Sequence, residues 1–348
     1  MRLAIDVMGG DHAPDAILKG CVEALQVISP DDRLVLVGKR RVIEEYLDDV
    51  GVRDPRLETL HADDVIEMGD EPAKAVRGKP ESSIVKMMLA GSAKYESLVP
   101  QRCDAVLSAG NTGACVSASI MHMKRLPGVH RPGIAVTIPA LTGNLVLCDA
   151  GANPEPKPTH LWQYAIMSSC LAEKCLGIAN PRVALMNIGS EDSKGSAEIK
   201  AARDLIRATP GINYIGYIEG REFFEGVADV VITDGFVGNT LLKMAEGLAK
   251  SLFKAIAQEI FETDPHLAMQ FEPVVKRIYA KNDYHEHGGA PLLGVNGICL
   301  IAHGSSEART IKAAVRNAKR YIESGLNDEI VARLDAAERV VQPQREYA

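Results

Sequence analysis

The 348-residue sequence predicts an α/β fold, a mostly parallel sheet covered by helices. Two observations carry that expectation. Short apolar, β-branched runs alternate with longer segments of helical period, and several of those segments open at Pro, Ser, Thr or Asp. The composition agrees, with 46% hydrophobic, 24% charged and 5% aromatic residues, which describes an ordinary globular chain long enough to bury a substantial core.

Taken in order, the strand at 2–7 closes on Asp6-Val7-Met8-Gly9-Gly10-Asp11-His12-Ala13-Pro14, a paired-glycine turn that leads into a helix over 14–28. A strand at 33–37 precedes helices at 39–49 and 82–97. The strand at 104–108 empties into Ala109-Gly110-Asn111-Thr112-Gly113-Ala114 and a helix over 112–124. Strands at 133–138 and 145–149 follow, the second ending in Asp149-Ala150-Gly151-Ala152-Asn153-Pro154 ahead of a helix at 159–176. The strand at 182–188 runs into Asn187-Ile188-Gly189-Ser190-Glu191-Asp192-Ser193-Lys194-Gly195 and a helix at 196–208. Strands at 213–217 and 229–233 complete the set, the last followed by Thr233-Asp234-Gly235-Phe236-Val237-Gly238-Asn239-Thr240.

Residues 238–281 depart from this rhythm and read as an αα-hairpin, 238–262 and 266–281, broken at Thr263-Asp264-Pro265. Its stripes, Leu252, Ile256 and Ile260, then Leu267, Phe271, Val274 and Ile278, call for burial against a core or a dimer partner, with membrane or acyl-chain contact as the sharper reading. A helix at 305–324 ends the patterned region. No repeat or linker appears, so 1–325 is expected to be one compact unit with subdomains, and 326–348 a tail or helix of no assigned role.

A net charge of −7 leaves no general footprint for nucleic acid. Seven cysteines without a C-x-x-C pair fit a reducing cytoplasm, and neither a signal peptide nor a membrane-spanning run is visible. Ligands of open α/β sheets gather beyond the carboxyl ends of strands, which makes the polar turns above candidates for one shared cleft. The Ser108 to Gly113 turn suits an anion, because its glycines allow close approach and the next helix presents unpaired N–H groups; Thr112 as a plain N-cap is the competing reading. G-x-G-x-x-G, P-loop and G-x-S-x-G motifs are absent. His285-Glu286-His287 reads as a solvated loop rather than a metal site, and no metal or cofactor is expected.

Together the segments Ile5 to Asp11, Met68-Gly69-Asp70-Glu71-Pro72 through Arg77 to Ser82-Ser83, Ser108 to Ala114, Asp234 to Asn239, Gly288 to Gly294 and Ala302-His303-Gly304-Ser305-Ser306 resemble the PlsX-type phosphate acyltransferases of bacterial phospholipid synthesis. The match runs from residue 3 to about 324, although Ser190 and Ser196 depart from the family's pattern. The resemblance implies conversion of acyl-[acyl carrier protein] and orthophosphate to acyl phosphate and free carrier protein. It also implies an isocitrate-dehydrogenase/phosphotransacetylase-like fold, a homodimer, and a product passed to a membrane glycerol-3-phosphate acyltransferase from the inner face of the membrane.

That chemistry needs N–H groups, helix N-termini and a cation for phosphate, and a donor for the thioester oxygen. Asp6, Gly9, Gly10, Asp11, Ser108, Gly110, Asn111, Thr112, Gly113 and Asn153 are the expected binding residues. Lys194 is the expected cation, Asn239 or Asn111 an oxyanion donor, and Asp234 and His303 candidates to orient phosphate or move its proton. For Asp234 an N-cap, and for His303 a satisfied core imidazole, are equally open. Cys115 tempts as a nucleophile but reads better as a small buried helix residue. Lys276, Arg277 and Lys281, and Arg309, Lys312, Arg316, Lys319 and Arg320, are candidate docking charges for an acidic carrier protein. The competing readings are a phosphotransacetylase acting on short acyl-CoA, a non-catalytic carrier-binding scaffold at the membrane, and a metal-dependent 2-hydroxy-acid dehydrogenase.

Overall fold

A computed structural model describes residues 1–140, 143–263, 271–274, 277–278 and 288–345. Among them, eleven strands form one sheet: β1 (Arg2–Asp6), β2 (Arg33–Gly38), β3 (Leu57–His61), β4 (Ala105–Ser108), β5 (Gly133–Ala140), β6 (Gly143–Cys148), β7 (Arg182–Met186), β8 (Asn213–Ile218), β9 (Val230–Ile232), β10 (Ala290–Leu293) and β11 (Ile298–Ile301). Their spatial order is β3-β2-β1-β4-β11-β10-β5-β6-β9-β7-β8.

The sheet is mostly parallel, yet it consists of two parallel blocks that run in opposite directions. β3, β2, β1, β4 and β11 are parallel to one another, as are β6, β9, β7 and β8. Between them β10 is antiparallel to both β11 and β5, and β5 is antiparallel to β6, so three reversals separate the blocks. The carboxyl ends of the two blocks therefore point in opposite directions along the sheet.

The helices are α1 (Asp15–Ala24), α2 (Arg40–Asp49), α3 (Pro72–Gly78), α4 (Ser83–Ala90), α5 (Thr112–Ala118), α6 (Pro158–Leu176), α7 (Ala197–Arg207), α8 (Gly235–Thr263), α9 (Ala308–Glu323) and α10 (Leu326–Arg345). One apolar layer joins α1, α6, α9 and α10 through Ile17, Tyr164, Ile311 and Leu334, and the opposite layer joins α3, α4 and α5 through Val76, Met88 and Cys115. The 326–348 segment is thus largely helix, and Leu326, Ile330, Leu334 and Ala337 bury its inner stripe.

Several boundaries differ from the sequence expectation for local reasons. The helix expected over 82–97 stops at Ala90, where Gly91 follows and the Ser92 hydroxyl turns back to the Leu89 carbonyl at 2.8 Å. The helix expected over 112–124 is regular only to Ala118 and finishes as a π-helical turn over Ser119–Met123. Strands β3, β10 and β11 were not anticipated: β3 is a half-exposed edge strand, β10 contains Pro291, and β10 and β11 have only four residues each. The first arm of the expected hairpin is α8. The break at 263–265 and the arm at 266–281 lie outside the described residues, apart from Thr263 and the helical segments 271–274 and 277–278.

Candidate active site

A cavity of about 370 Å³ crosses the sheet face over β5, β10 and β11. Ala290 pairs with Ile301 and Leu292 with Ile134, so Ile301, Ala290, Ile134 and the next same-face residue Val136 present one apolar floor. Asp11, Thr112, His303 and Gly304 close it from the first block, and Ala150, Gly151 and Asn239 from the second. α8 adds Leu242, Lys243 and Glu246. Asn239, Lys243 and Glu246 fall at i, i+4 and i+7, which sets them on one helical face.

Of the expected residues, Asp11, Thr112, Asn239 and His303 line this cavity. Thr112 and Gly113 are the first two residues of α5, where backbone N–H groups have no carbonyl partner in their own helix. The cap is Asn111 rather than Thr112: its Oδ1 accepts from the Ala114 N–H at 3.0 Å. The Asn111 amide is also spent, donating to the carbonyls of Glu67, Met68 and Asp70 at 3.1–3.2 Å. Asn111 therefore builds the site and has no free group for an oxyanion. Gly113 lies against Pro72, which fixes α5 on α3.

Asp6 and Ser108 are buried beneath the cavity instead of lining it. The Ser108 hydroxyl donates to Asp6 Oδ2 at 2.8 Å and accepts the Gly110 N–H at 3.0 Å, while the Met8 N–H reaches Asp6 Oδ1 at 3.1 Å. Burial raises the Asp6 carboxyl above its ordinary value, opposed by its hydrogen bonds from Ser108 and the Met8 amide. A Cβ on Gly9 would stand 2.4 Å from Asp6 Oδ2 and 2.8 Å from Gly110 Cα, so only glycine allows the two turns to touch. Gly10 packs against Gly304 and Ala109, and Asp11 donates its N–H to the Gly304 carbonyl at 2.8 Å.

The second block is keyed by Asp149, which sequence reading placed in a polar turn but gave no part. Its carboxylate accepts from the backbone N–H groups of Ile134, Ala152 and Asn153 at 2.9, 3.1 and 2.6 Å. Burial raises its carboxyl against those bonds. A Cβ on Gly238 would lie 1.9 Å from the Asp149 carbonyl oxygen, so the start of α8 rests directly on this turn. Asn153 is a brace and not a binding residue, because its amide donates to the Pro132 carbonyl and the Tyr164 hydroxyl, both at 2.7 Å.

Asp234 takes the capping role, its Oδ1 accepting from the Val237 N–H at 2.8 Å. It does not line the cavity, and nor does Lys194. Lys194 is exposed on the β7–α7 loop beside Gly189, a loop tied down by Asp192 to Arg203 and Arg207. The cation at the cavity is Lys243, which sequence reading missed. Glu246 beside it has its carboxyl raised by burial, with His303 and Lys243 pulling it back. At His303 the Ser305 N–H reaches Nδ1 at 3.2 Å, so Nδ1 accepts and a neutral ring carries its hydrogen on Nε2. That leaves one ring donor uncommitted.

Cys115 is fully buried, and burial pushes its thiol up to about 12, which removes it as a nucleophile. Docking charges are engaged within the chain, Lys312 with Gln26 at 2.9 Å, Lys319 with Asp32 at 3.1 Å and Arg309 with Glu307 at 3.3 Å. Lys276 and Lys281 lie outside the described residues. Among the described residues no group of three or more His, Cys, Asp or Glu is placed to hold a metal ion.

Residues 1–329 match the family model described as "Fatty acid synthesis protein". The chain is 45% identical over 336 residues to a phosphate acyltransferase of Desulfitobacterium hafniense (strain DSM 10664 / DCB-2), covering 95% of this chain and 96% of that one. It is 40% identical over 329 residues to the phosphate acyltransferase of Bacillus subtilis (strain 168), covering 94% and 96%. Among solved structures, a phosphotransacetylase from Streptococcus pyogenes shares the fold at a TM-score of 0.61 and 14% identity, over 93% of this chain and 94% of that one. With the expected motifs gathered around one cavity and the match running through nearly the whole length, the chain belongs to the fatty acid synthesis protein family, the PlsX-type phosphate acyltransferases.

Proposed function

We propose that the protein transfers a fatty acyl group from acyl-[acyl carrier protein] to orthophosphate, releasing acyl phosphate and free carrier protein. The observation that supports this most is the cavity's division: the start of α5 at Thr112, with its unpaired N–H, at one end, and the apolar floor of Ile134, Val136, Ala290 and Ile301 leading away. Phosphate sits at the start of α5, with the Thr112 hydroxyl and His303 Nε2–H as donors, Asp11 accepting the hydrogen of monohydrogen phosphate, and Lys243 supplying positive charge. The acyl chain follows the apolar floor toward Leu242, which brings the thioester carbonyl to the Asn239 amide.

A phosphate oxygen attacks the carbonyl carbon, charge gathers on the carbonyl oxygen against Asn239, and the C–S bond breaks. The carrier's thiolate leaves with the electron pair and takes a proton from water, so no acid of high strength is needed. No residue forms a covalent intermediate. The reading extends to a homodimer working at the inner face of the membrane and handing its product to a glycerol-3-phosphate acyltransferase. Met244, Leu248 and Leu252, 63%, 64% and 56% exposed along one face of α8, support such an apolar contact. No helix among the described residues is long and apolar enough to cross a membrane.

The test is turnover by the purified protein of long-chain acyl-[acyl carrier protein] with phosphate, the product trapped by hydroxylamine. Acyl hydroxamate dependent on phosphate is expected. Turnover of acetyl-CoA with none of the carrier substrate would replace this reading with a short-chain phosphotransacetylase.

A further inference from the structure

The geometry points to Asp6 and Ser108 as positioning residues, a buried relay that holds the phosphate-binding start of α5 in register without touching phosphate. This inference rests on the functional reading above and names what keeps its anion seat in shape. Asp6 ends β1 and Ser108 ends β4, and these strands are neighbours paired as Leu3↔Ala105 to Ile5↔Leu107. Both side chains are about 1% exposed and neither lines the cavity, so neither meets a ligand there.

The linkage runs in one direction. Asp6 Oδ2 takes the Ser108 hydroxyl hydrogen, which orients the Ser108 lone pairs toward the Gly110 N–H. Gly110 is thereby fixed two residues before Thr112, and its Cα forms the wall against which Gly9 fits. Asp6 Oδ1 meanwhile fixes Met8 of the other turn. One carboxylate therefore sets the turn that carries Asp11 and, through Ser108, the turn that carries Thr112. No lysine or arginine is hydrogen-bonded to Asp6 among the described residues, so its role here is as an acceptor of O–H and N–H groups rather than as half of an ion pair.

The consequence is selective for one substrate. Loosening Gly110 displaces the Thr112 N–H and hydroxyl at the proposed phosphate seat, while the apolar floor on β5, β10 and β11 and Asn239 on α8 belong to other elements and stay in place. In Ser108→Ala, the KM for orthophosphate is expected to rise tenfold or more, with the KM for acyl-[acyl carrier protein] within twofold of the parent and the melting temperature nearly kept. Asp6→Asn, which retains a carbonyl acceptor, is expected to fall between the parent and Asp6→Ala. Orthophosphate affinity measured directly by ³¹P NMR titration is expected to weaken in parallel, including in variants too slow to assay.

A folded Ser108→Ala protein with unchanged phosphate KM and affinity would overturn the inference, as would equal losses for both substrates. If Asp6→Ala does not fold, Ser108→Ala decides alone, since it removes a single hydroxyl. A parent protein that makes no acyl phosphate refutes the functional reading instead, and that result is separate from any difference between parent and variant.

Discussion

Asp234 and Asn239 stand five residues apart at the start of α8 and do different work. The Asp234 carboxylate turns back onto the Val237 N–H, whereas the Asn239 amide has no hydrogen-bond partner among the described residues and lines the cavity. Asp234→Ala is expected to lower stability by about 1 kcal/mol, as loss of a helix cap does, and to leave both KM values alone. Asn239→Ala is expected to keep its melting temperature and lose on the order of a hundredfold in kcat, the effect of deleting one oxyanion donor. Thermal melts and steady-state kinetics on the two variants check both. The sequence showed small polar residues clustered at strand ends, and that much was legible. Which of them turn inward was not, because it depends on distant partners: Asn111 is committed by carbonyls of residues 67–70, about forty positions away.

Among elements, the β7–α7 loop and α8 exchange the parts expected of them. The loop follows its strand as the others do and carries Lys194, but β7 lies beyond β9, and the Asp192 contacts with Arg203 and Arg207 hold the loop on α7. The apolar stripe of α8 hides a second stripe on a different face of the helix, Asn239, Lys243 and Glu246. Lys194→Ala is expected to leave the phosphate KM within twofold, while Lys243→Ala raises it severalfold; kinetics with phosphate varied at saturating acyl carrier check the contrast. The reverse pattern would return the cation to the loop. Periodicity found the long helices and the strands bearing β-branched runs, and it failed at β10, which has no β-branched residue and contains Pro291, and at β11, whose β-branched residues Ile298 and Ile301 are separated by Cys299 and Leu300. Those two strands share the cavity floor with β5.

At the scale of the whole molecule, the non-catalytic end of the second block is stapled by Asp229. Its carboxylate accepts from the Arg182 backbone N–H at 2.8 Å and from the guanidinium at 2.8 and 3.0 Å, joining the starts of β7 and β9. Burial pushes the Asp229 carboxyl up, but the Arg182 bonds outweigh it and hold the carboxyl below the ordinary carboxylate value. A depressed native pKa stabilises the fold above the unfolded value of about 3.9, and that contribution is lost as pH falls through the native value. Asp229→Asn is expected to cost about 1 kcal/mol at pH 7, allowing for the solvent around Arg182, with the difference shrinking toward zero as pH falls through the depressed native value. Melting curves across that range check it, and a difference independent of pH would assign the loss to packing.

The opposed parallel blocks have a consequence for the chemistry itself. Thr112 stands on one block and Asn239 on the other, so the proposed nucleophile seat and the proposed carbonyl donor are mounted on separate jaws. Between β10 and β5 the two halves of the sheet pair through Leu292↔Ile134 and Leu293↔Gly133. The pairing of β10 with β5 therefore sets the gap between the proposed phosphate seat and the proposed carbonyl donor, and one apolar cluster running from Leu3 in the first block to Val183 in the second holds that gap.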